Sequence, residues 1–356
     1  MRRFYKSASI FSFFSCIIPY LSLQGCVTIT ENFAQLGLNP GLLKTVLELG
    51  YEAPTKIQQE IIPLLLENRD VIGQAQTGTG KTAAFALPLL ERIEPSVKKV
   101  QALILAPTRE LAIQVAEAIH AYSKGIPQVR VVPIYGGQSI QTQMAHLKQG
   151  TQVVVGTPGR IIDHLERKTL NFSHVKMVVL DEADEMLRMG FLEDVEHILS
   201  HAPQGIQTAL FSATMPKQIR RIADKFLQDP AVVQVGKQQL TVPTIEQRYV
   251  QVSESMKTEM LTRLLEVELP PGSSAIIFTR TKVNASQLME KLVSRGYAAE
   301  AIHGDMSQAQ RENVVQRLKN GKLEIVVATD VAARGLHVDR IQYVVNYDAP
   351  EDTESY

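Results

Sequence analysis

The chain has 356 residues, 45% of them hydrophobic and 21% charged, with 37 basic side chains against 37 acidic ones. That length suffices for two domains with buried cores, and the composition excludes a disordered or short-repeat polymer. A formal charge of zero excludes a protein that holds nucleic acid by a bulk positive field, so any such contact must come from locally placed loops.

The first 26 residues stand apart. They hold Arg2, Arg3 and Lys6 and no acid, which leaves 34 basic and 37 acidic side chains over residues 27–356, a net of −3. A basic start, a short apolar stretch and small residues before Cys26 are similar to a secretory or lipoprotein signal. The stretch is too short, and too broken by Pro19, to span a membrane. The competing expectation is a start site assigned too far upstream, with the protein beginning near Val27. Both cysteines, Cys16 and Cys26, lie in this segment, so the remainder offers no disulfide partner and fits a reducing compartment.

Next comes G-Y-E-A-P-T-K-I-Q at residues 50–58, with Phe33 upstream. Thr55-x-x-Gln58 ahead of Ile61, Ile62 and Leu65 fits a capping box opening an amphipathic helix. The Gln58 amide also carries the donor and acceptor needed to read a purine edge. An apolar strand candidate at 71–72 then leads into A-Q-T-G-T-G-K-T at residues 75–82 and a helix candidate over 82–90. Strand, glycine-rich loop and helix are the context of a phosphate loop. Gly78 and Gly80 let the backbone of Ala75, Gln76, Thr77 and Thr79 turn its N–H groups toward phosphate oxygens, and the helix N-terminus favours negative charge. Lys81 then reaches the β and γ phosphates, and the Thr82 hydroxyl is a ligand for Mg²⁺. Ala75 stands where the strict pattern has glycine, and glycine-rich turns also serve as plain connectors.

Further strand candidates at 102–105, 152–155, 175–180 and 208–211 each end in a polar motif. P-T-R-E-L-A at 107–112, the Gly136-Gly137 pair and T-P-G-R at 157–160 offer guanidinium forks (Arg109, Arg160) and close backbone approach (Gly137) to phosphates. Each has a local alternative: Thr157 with Pro158 fits an N-cap with N1 proline, and the glycine pair fits a turn. D-E-A-D at 181–184 closes a run suited to a strand buried on both faces. Asp181 is placed to hold Mg²⁺ and Glu182 to orient and deprotonate water, although carboxylates also simply favour a helix N-terminus. Ser212 and Thr214 alternate in an extended segment, which turns both toward one side and within reach of Asp184.

The polar stretch around 236–244 breaks this pattern and reads as a linker between a domain over 27–235 and a second over 245–356. In the second, strand candidates at 275–278, 298–302, 324–328 and 343–346 repeat the alternation, again predicting a doubly wound parallel α/β sheet with ligands at the strands' carboxyl ends. Ser307-x-x-Gln310 is a second capping box, so Gln310 reads as structural.

D-E-A-D-E-M-L-R-M-G-F and S-A-T, with the motifs above in order, resemble the DEAD-box ATP-dependent RNA helicases, most closely the bacterial cold-shock members. The resemblance implies two tandem RecA-like domains, the second incomplete, with ATP and Mg²⁺ as cofactors. It places ATP on Phe33, Tyr51, Thr55, Gln58, the loop 75–82 and Gly335, and catalysis on Lys81, Asp181 and Glu182. Ser212 and Thr214 would then couple the site through Asp184. RNA backbone falls to Arg109, Gly137, Thr157 and Arg160, and, through I-I-F-T-R-T-K, H-G-D-M-S-Q-A-Q-R and A-T-D-V-A-A-R-G, to Arg280, Gln308, Arg311, Thr329 and Asp330. It also implies ribosomal precursors or RNA-decay machinery as partners and a cytoplasmic location. Export would strand an ATPase where ATP is scarce, which favours the upstream-start reading of residues 1–26.

Three departures from the family stand out, the first at a site whose side chain need not touch the base and the other two bearing on activity. Lys56 replaces a common proline, His337 stands where the family has an aspartate facing the ribose, and the sequence reads D-A-P-E-D-T-E-S-Y to Tyr356 without reaching the family's V-H-R-I-G-R-T-G-R. Two functions therefore remain open: an RNA helicase, or a fragment that binds ATP and RNA with little hydrolysis. A DNA or protein translocase is a third.

Overall fold

The computed structural model describes residues 32–76, 78–235, 245–270, 272–329, 332, 338 and 340–350. Residues 1–26, the linker 236–244, Thr77, Asp330, Gly335 and His337 therefore lie outside the described residues.

Strands β1 (Val71–Gln74), β2 (Ala102–Leu105), β3 (Val131–Ile134), β4 (Val153–Gly156), β5 (Met177–Leu180), β6 (Gln207–Ser212) and β7 (Ala231–Gln234) form one sheet. Its order is β3-β4-β2-β5-β6-β1-β7 and every ladder is parallel. Strands such as V-V-V at 153–155 are apolar throughout because both faces are covered. Alternate residues divide between two cores: Ile104, Val155 and Val179 on one face, Leu103, Val154 and Val178 on the other.

Helices α1 (Pro40–Glu48), α2 (Lys56–Leu66), α3 (Lys81–Glu91) and α4 (Arg109–Tyr122) cover the first face. Helices α5 (Ile140–Lys148), α6 (Pro158–Glu166), α7 (Ala183–Arg188), α8 (Leu192–Ser200) and α9 (Lys217–Phe226) cover the second. The sheet is thus doubly wound, as the alternation predicts.

Two strands go beyond the sequence expectation, and both are edges. β3 contains Pro133, which cannot donate into a central ladder but is tolerated at the rim. β7 exposes Val232 to 69%, so it lacks the continuous apolar signature of the inner strands.

The second unit repeats the plan on a smaller scale. β8 (Ser274–Phe278), β9 (Ala299–Ile302), β10 (Ile325–Ala328) and β11 (Ile341–Asn346) form a parallel sheet in the order β11-β8-β10-β9. Helices α10 (Lys257–Glu268) and α11 (Lys282–Val293) pack on one face and α12 (Gln308–Lys319) on the other. Among the described residues no helix is long and apolar enough to cross a membrane.

Candidate active site

β6 lies between β1 and β5 in the sheet, so the glycine loop, S-A-T and D-E-A-D leave the same carboxyl edge side by side. Ser212, the last residue of β6, touches both neighbours. Its carbonyl accepts from the Ala75 N–H at 3.1 Å, where the loop begins. Its hydroxyl accepts from the Asp184 N–H at 3.2 Å and donates to the Thr214 carbonyl at 2.6 Å. Thr214 in turn donates to Asp184 Oδ2 from its backbone N–H (2.9 Å) and its hydroxyl (3.0 Å). Ser212 thus reaches the backbone of Asp184, and Thr214 its carboxylate.

The loop after β1 turns through left-handed glycines at Gly78 (φ 78°) and Gly80 (φ 93°). Three side-chain bonds brace it. Thr79 Oγ1 donates to the Gln76 carbonyl (2.8 Å), Thr55 Oγ1 to the Thr79 carbonyl (2.8 Å) and Gln58 Nε2 to the Gly80 carbonyl (3.1 Å). The Gln58 Oε1 accepts from Thr55 N at 2.9 Å, closing the capping box of α2. Of the two sequence readings of Gln58, the capping box is present, and the other end of the amide holds the phosphate loop. Lys81, buried at the start of α3 beside the half-buried Thr82, rests its ammonium on the Ala75 carbonyl at 3.0 Å.

Asp181 and Glu182 follow β5. Asp181 is buried and its Oδ1 has no hydrogen-bond partner among the described residues. Burial holds its carboxyl above the ordinary range, opposed by the nearby Lys81 ammonium. Glu182 caps α7 in the left-handed region (φ 52°, ψ 53°), which is uncommon for a non-glycine residue and marks a special position. Burial and then the Asp181 charge push its carboxyl up to about 7.

An orphaned buried carboxylate oxygen on Asp181, close to Lys81 at the start of α3, fits Mg²⁺. That ion takes one or two carboxylates and completes its shell with phosphates and water instead of a protein cage. Asp181 and Thr82 would hold it.

Beside the loop, Phe33 is fully buried and meets Tyr51 edge-on with centroids 6.0 Å apart. Tyr51 also contacts Tyr122 edge-on, and their hydroxyls are 2.7 Å apart. Phe33 lies within the core, whereas Tyr51 is half-buried. Tyr122, at the end of α4, belongs to no motif and is invisible to sequence reasoning.

A second group lies at the carboxyl ends of β2, β3 and β4. Arg109 opens α4, whose N-cap is Thr108. Its guanidinium lies against Gly136 and Gly137, and a Cβ at Gly137 (φ 89°) would collide with it. Thr157 is the N-cap of α6 with Pro158 in its first turn, as the local reading predicts, although its hydroxyl makes no capping bond. Arg160 donates to the Gln138 carbonyl (2.9 Å) and Gln143 Oε1 (3.0 Å) and pairs with Asp163 (3.2 Å). Gln143 and His164, both fully buried, are further residues with no sequence motif around them.

In the second unit the backbone N–H of Arg280 donates to Asp348 (2.9 Å), and Thr329 follows β10. Gln308 opens α12, which Ser307 and Gln310 cap as a box. Arg311 pairs with Glu110 of α4 at 3.0 Å, tying the two units together.

The DEAD/DEAH box helicase family matches residues 55–222, and the helicase conserved C-terminal domain matches residues 256–356. The DEAD-box ATP-dependent RNA helicase CshA of Geobacillus kaustophilus is 55% identical over 324 residues, 91% of this chain and 69% of that protein. The chain belongs to the DEAD-box helicase family. The ATP-dependent RNA helicase DeaD of Buchnera aphidicola is 54% identical over 331 residues, of which this chain spans 55%. Among solved structures, yeast Dbp5 bound to RNA and ADP BeF3 is 34% identical with a TM-score of 0.79, covering 90% of this chain and 81% of that one. A DEAD box protein from Methanococcus jannaschii is 43% identical with a TM-score of 0.57, covering 92% and 88%.

Proposed function

We propose that this DEAD-box chain is an ATP-dependent RNA helicase that separates short duplexes by closing its two units on RNA backbone. The observation that carries this is the placement of Ser212. One residue binds the start of the phosphate loop through its carbonyl and the D-E-A-D helix through its hydroxyl. A change at either segment is therefore felt at the other.

In this reading the loop N–H groups and Lys81 hold the triphosphate, and Phe33, Tyr51, Thr55 and Gln58 frame the base. Mg²⁺ on Asp181 and Thr82 would neutralise charge on the phosphates. Glu182, with a carboxyl near 7, is basic enough to take a proton from an attacking water at neutral pH. Asp184, held by Ser212 and Thr214, links this site to the groove of Arg109, Gly137, Thr157 and Arg160, where RNA phosphates would lie. Arg280, Gln308, Arg311, Thr329 and Asp330 would complete that groove and Gly335 would approach the ribose.

Contact between the units is supported by the ion pair of Arg311 with Glu110. Ribosomal precursors and RNA-decay assemblies are the proposed settings, in the cytoplasm.

The test is ATP hydrolysis by residues 27–356 with RNA, with DNA and with neither, alongside Glu182→Gln. RNA-specific stimulation that Glu182→Gln abolishes supports the proposal. Equal rates for both proteins point to a binding fragment, and equal stimulation by DNA removes the RNA assignment.

A further inference from the structure

Between the glycine pair and the T-P-G-R helix lies a buried amide whose hydrogen-bonding capacity is completely used. Gln143, on α5, has no exposed surface. Its Nε2 donates to the Tyr135 carbonyl (2.9 Å) and to Gln138 Oε1 (3.0 Å), on either side of Gly136-Gly137. Its Oε1 accepts from Arg160 Nη1 (3.0 Å) and faces His164 Nε2 (3.2 Å) on α6. A primary amide has two donors and two lone pairs, and all four are engaged.

The partners dictate the orientation. A carbonyl only accepts and a guanidinium only donates, so the amide cannot be flipped. His164 must then carry its proton on Nε2, and in the neutral ring its Nδ1, 2.7 Å from the Thr169 hydroxyl, shares that hydroxyl's one proton with the His164 carbonyl at 3.1 Å. Burial, then the Arg160 charge and Arg167, favour this neutral imidazole, with Asp163 opposing. Arg160 gains a second anchor on the Gln138 carbonyl at 2.9 Å.

We infer that Gln143 is a positioning residue that locks the glycine loop and Arg160 into one phosphate-binding groove, with His164 fixing the amide from below. This rests on the reading above that Arg160 and Gly137 meet RNA backbone. Gln143 itself touches no RNA. It acts by removing the freedom of a long guanidinium side chain and of the loop's carbonyls, so that RNA need not order them on binding.

The experiment is a double-mutant cycle read by RNA affinity over a range of salt concentrations, with nucleotide affinity measured separately. Arg160→Ala is expected to weaken RNA binding roughly tenfold and to lower the salt slope by about one, as loss of a phosphate contact does. Gln143→Leu, which keeps the volume but none of the bonds, is expected to weaken RNA to a similar extent, with nucleotide Kd within about twofold. The double variant should be scarcely worse than either single one. Gln143→Glu keeps the acceptors for Arg160 and His164 but sets an oxygen against the Tyr135 carbonyl and Gln138 Oε1. It should therefore loosen the glycine loop and weaken RNA by an intermediate factor, which serves the test if Gln143→Leu does not fold. If Arg160→Ala leaves RNA binding unchanged, the groove assignment itself fails. Additive effects, or unchanged RNA affinity in both Gln143 variants while Arg160→Ala weakens it, overturn the positioning role alone.

Discussion

Thr214 gives Asp184 two hydrogen bonds, one from its backbone N–H at 2.9 Å and one from its hydroxyl at 3.0 Å, both to the same carboxylate oxygen. Asp184 is only 8% exposed, so little water stands ready to replace either bond. Ser212 holds the Asp184 N–H from the other side. The last residue of D-E-A-D is thereby fastened to the end of β6, whose Ser212 carbonyl also holds the first residue of the phosphate loop.

Thr214→Ala removes the hydroxyl and leaves a buried carboxylate short of one donor, which costs about 1–3 kcal/mol. Chemical denaturation should register that loss, and Thr214→Ser should recover most of it. RNA stimulation of ATP hydrolysis should fall further than nucleotide affinity in the alanine variant. A uniform loss of both would assign Thr214 to packing.

The two capping boxes supply an internal control. Gln58 caps α2 and also holds the Gly80 carbonyl, whereas Gln310 caps α12 with no bond to a phosphate loop. Alanine at either position should cost about 1 kcal/mol of stability. Only Gln58→Ala should raise the nucleotide Kd, by roughly tenfold, because it frees the loop. Isothermal titration of both variants checks the contrast, and equal nucleotide affinities would confine Gln58 to its helix.

Glu182 makes stability depend on pH in a direction opposite to a paired carboxylate. Its carboxyl lies near 7 in the fold against an ordinary 4.5, so between these values the unfolded chain holds fewer protons than the native one. Its contribution is fully present below the lower value and is lost as pH rises through the upper one. Glu182→Gln, neutral and of the same shape, should therefore stabilise the nucleotide-free protein at pH 8 by up to about 3 kcal/mol. The gain should vanish near pH 4. Thermal melts of both proteins across this range provide the check, and a pH-independent difference would contradict the assignment.

Gly137 has a left-handed backbone and no room for a side chain beside Arg109. Gly137→Ala should cost about 1–2 kcal/mol in backbone strain and displace the guanidinium, so RNA affinity should drop while nucleotide affinity holds. Filter binding and nucleotide titration on one preparation separate the two effects.

How far such features are visible in the chain alone depends on whether they are local. Inner strands announce themselves because both faces are buried, as V-V-V at 153–155 shows, whereas edge strand β3 carries Pro133 and does not. The phosphate loop and D-E-A-D are contiguous motifs whose chemistry follows from residue type and spacing. Tyr122, Gln143 and His164 act through partners 71, 17 and 21 residues away, respectively. No spacing rule announces such pairs, because the fold alone brings them together. Gln58 shows a further limit: its capping pattern is legible, but its second bond to Gly80 appears only in three dimensions.

In the proposed mechanism the nucleotide and RNA sites are joined through Ser212, Asp184 and Thr214. The decisive measurement is RNA affinity with and without a non-hydrolysable ATP analogue. The nucleotide should tighten RNA by tenfold or more, a coupling of about 1.4 kcal/mol or greater, and Thr214→Ala should abolish most of that gain. Identical RNA affinity in the presence and absence of nucleotide would contradict it.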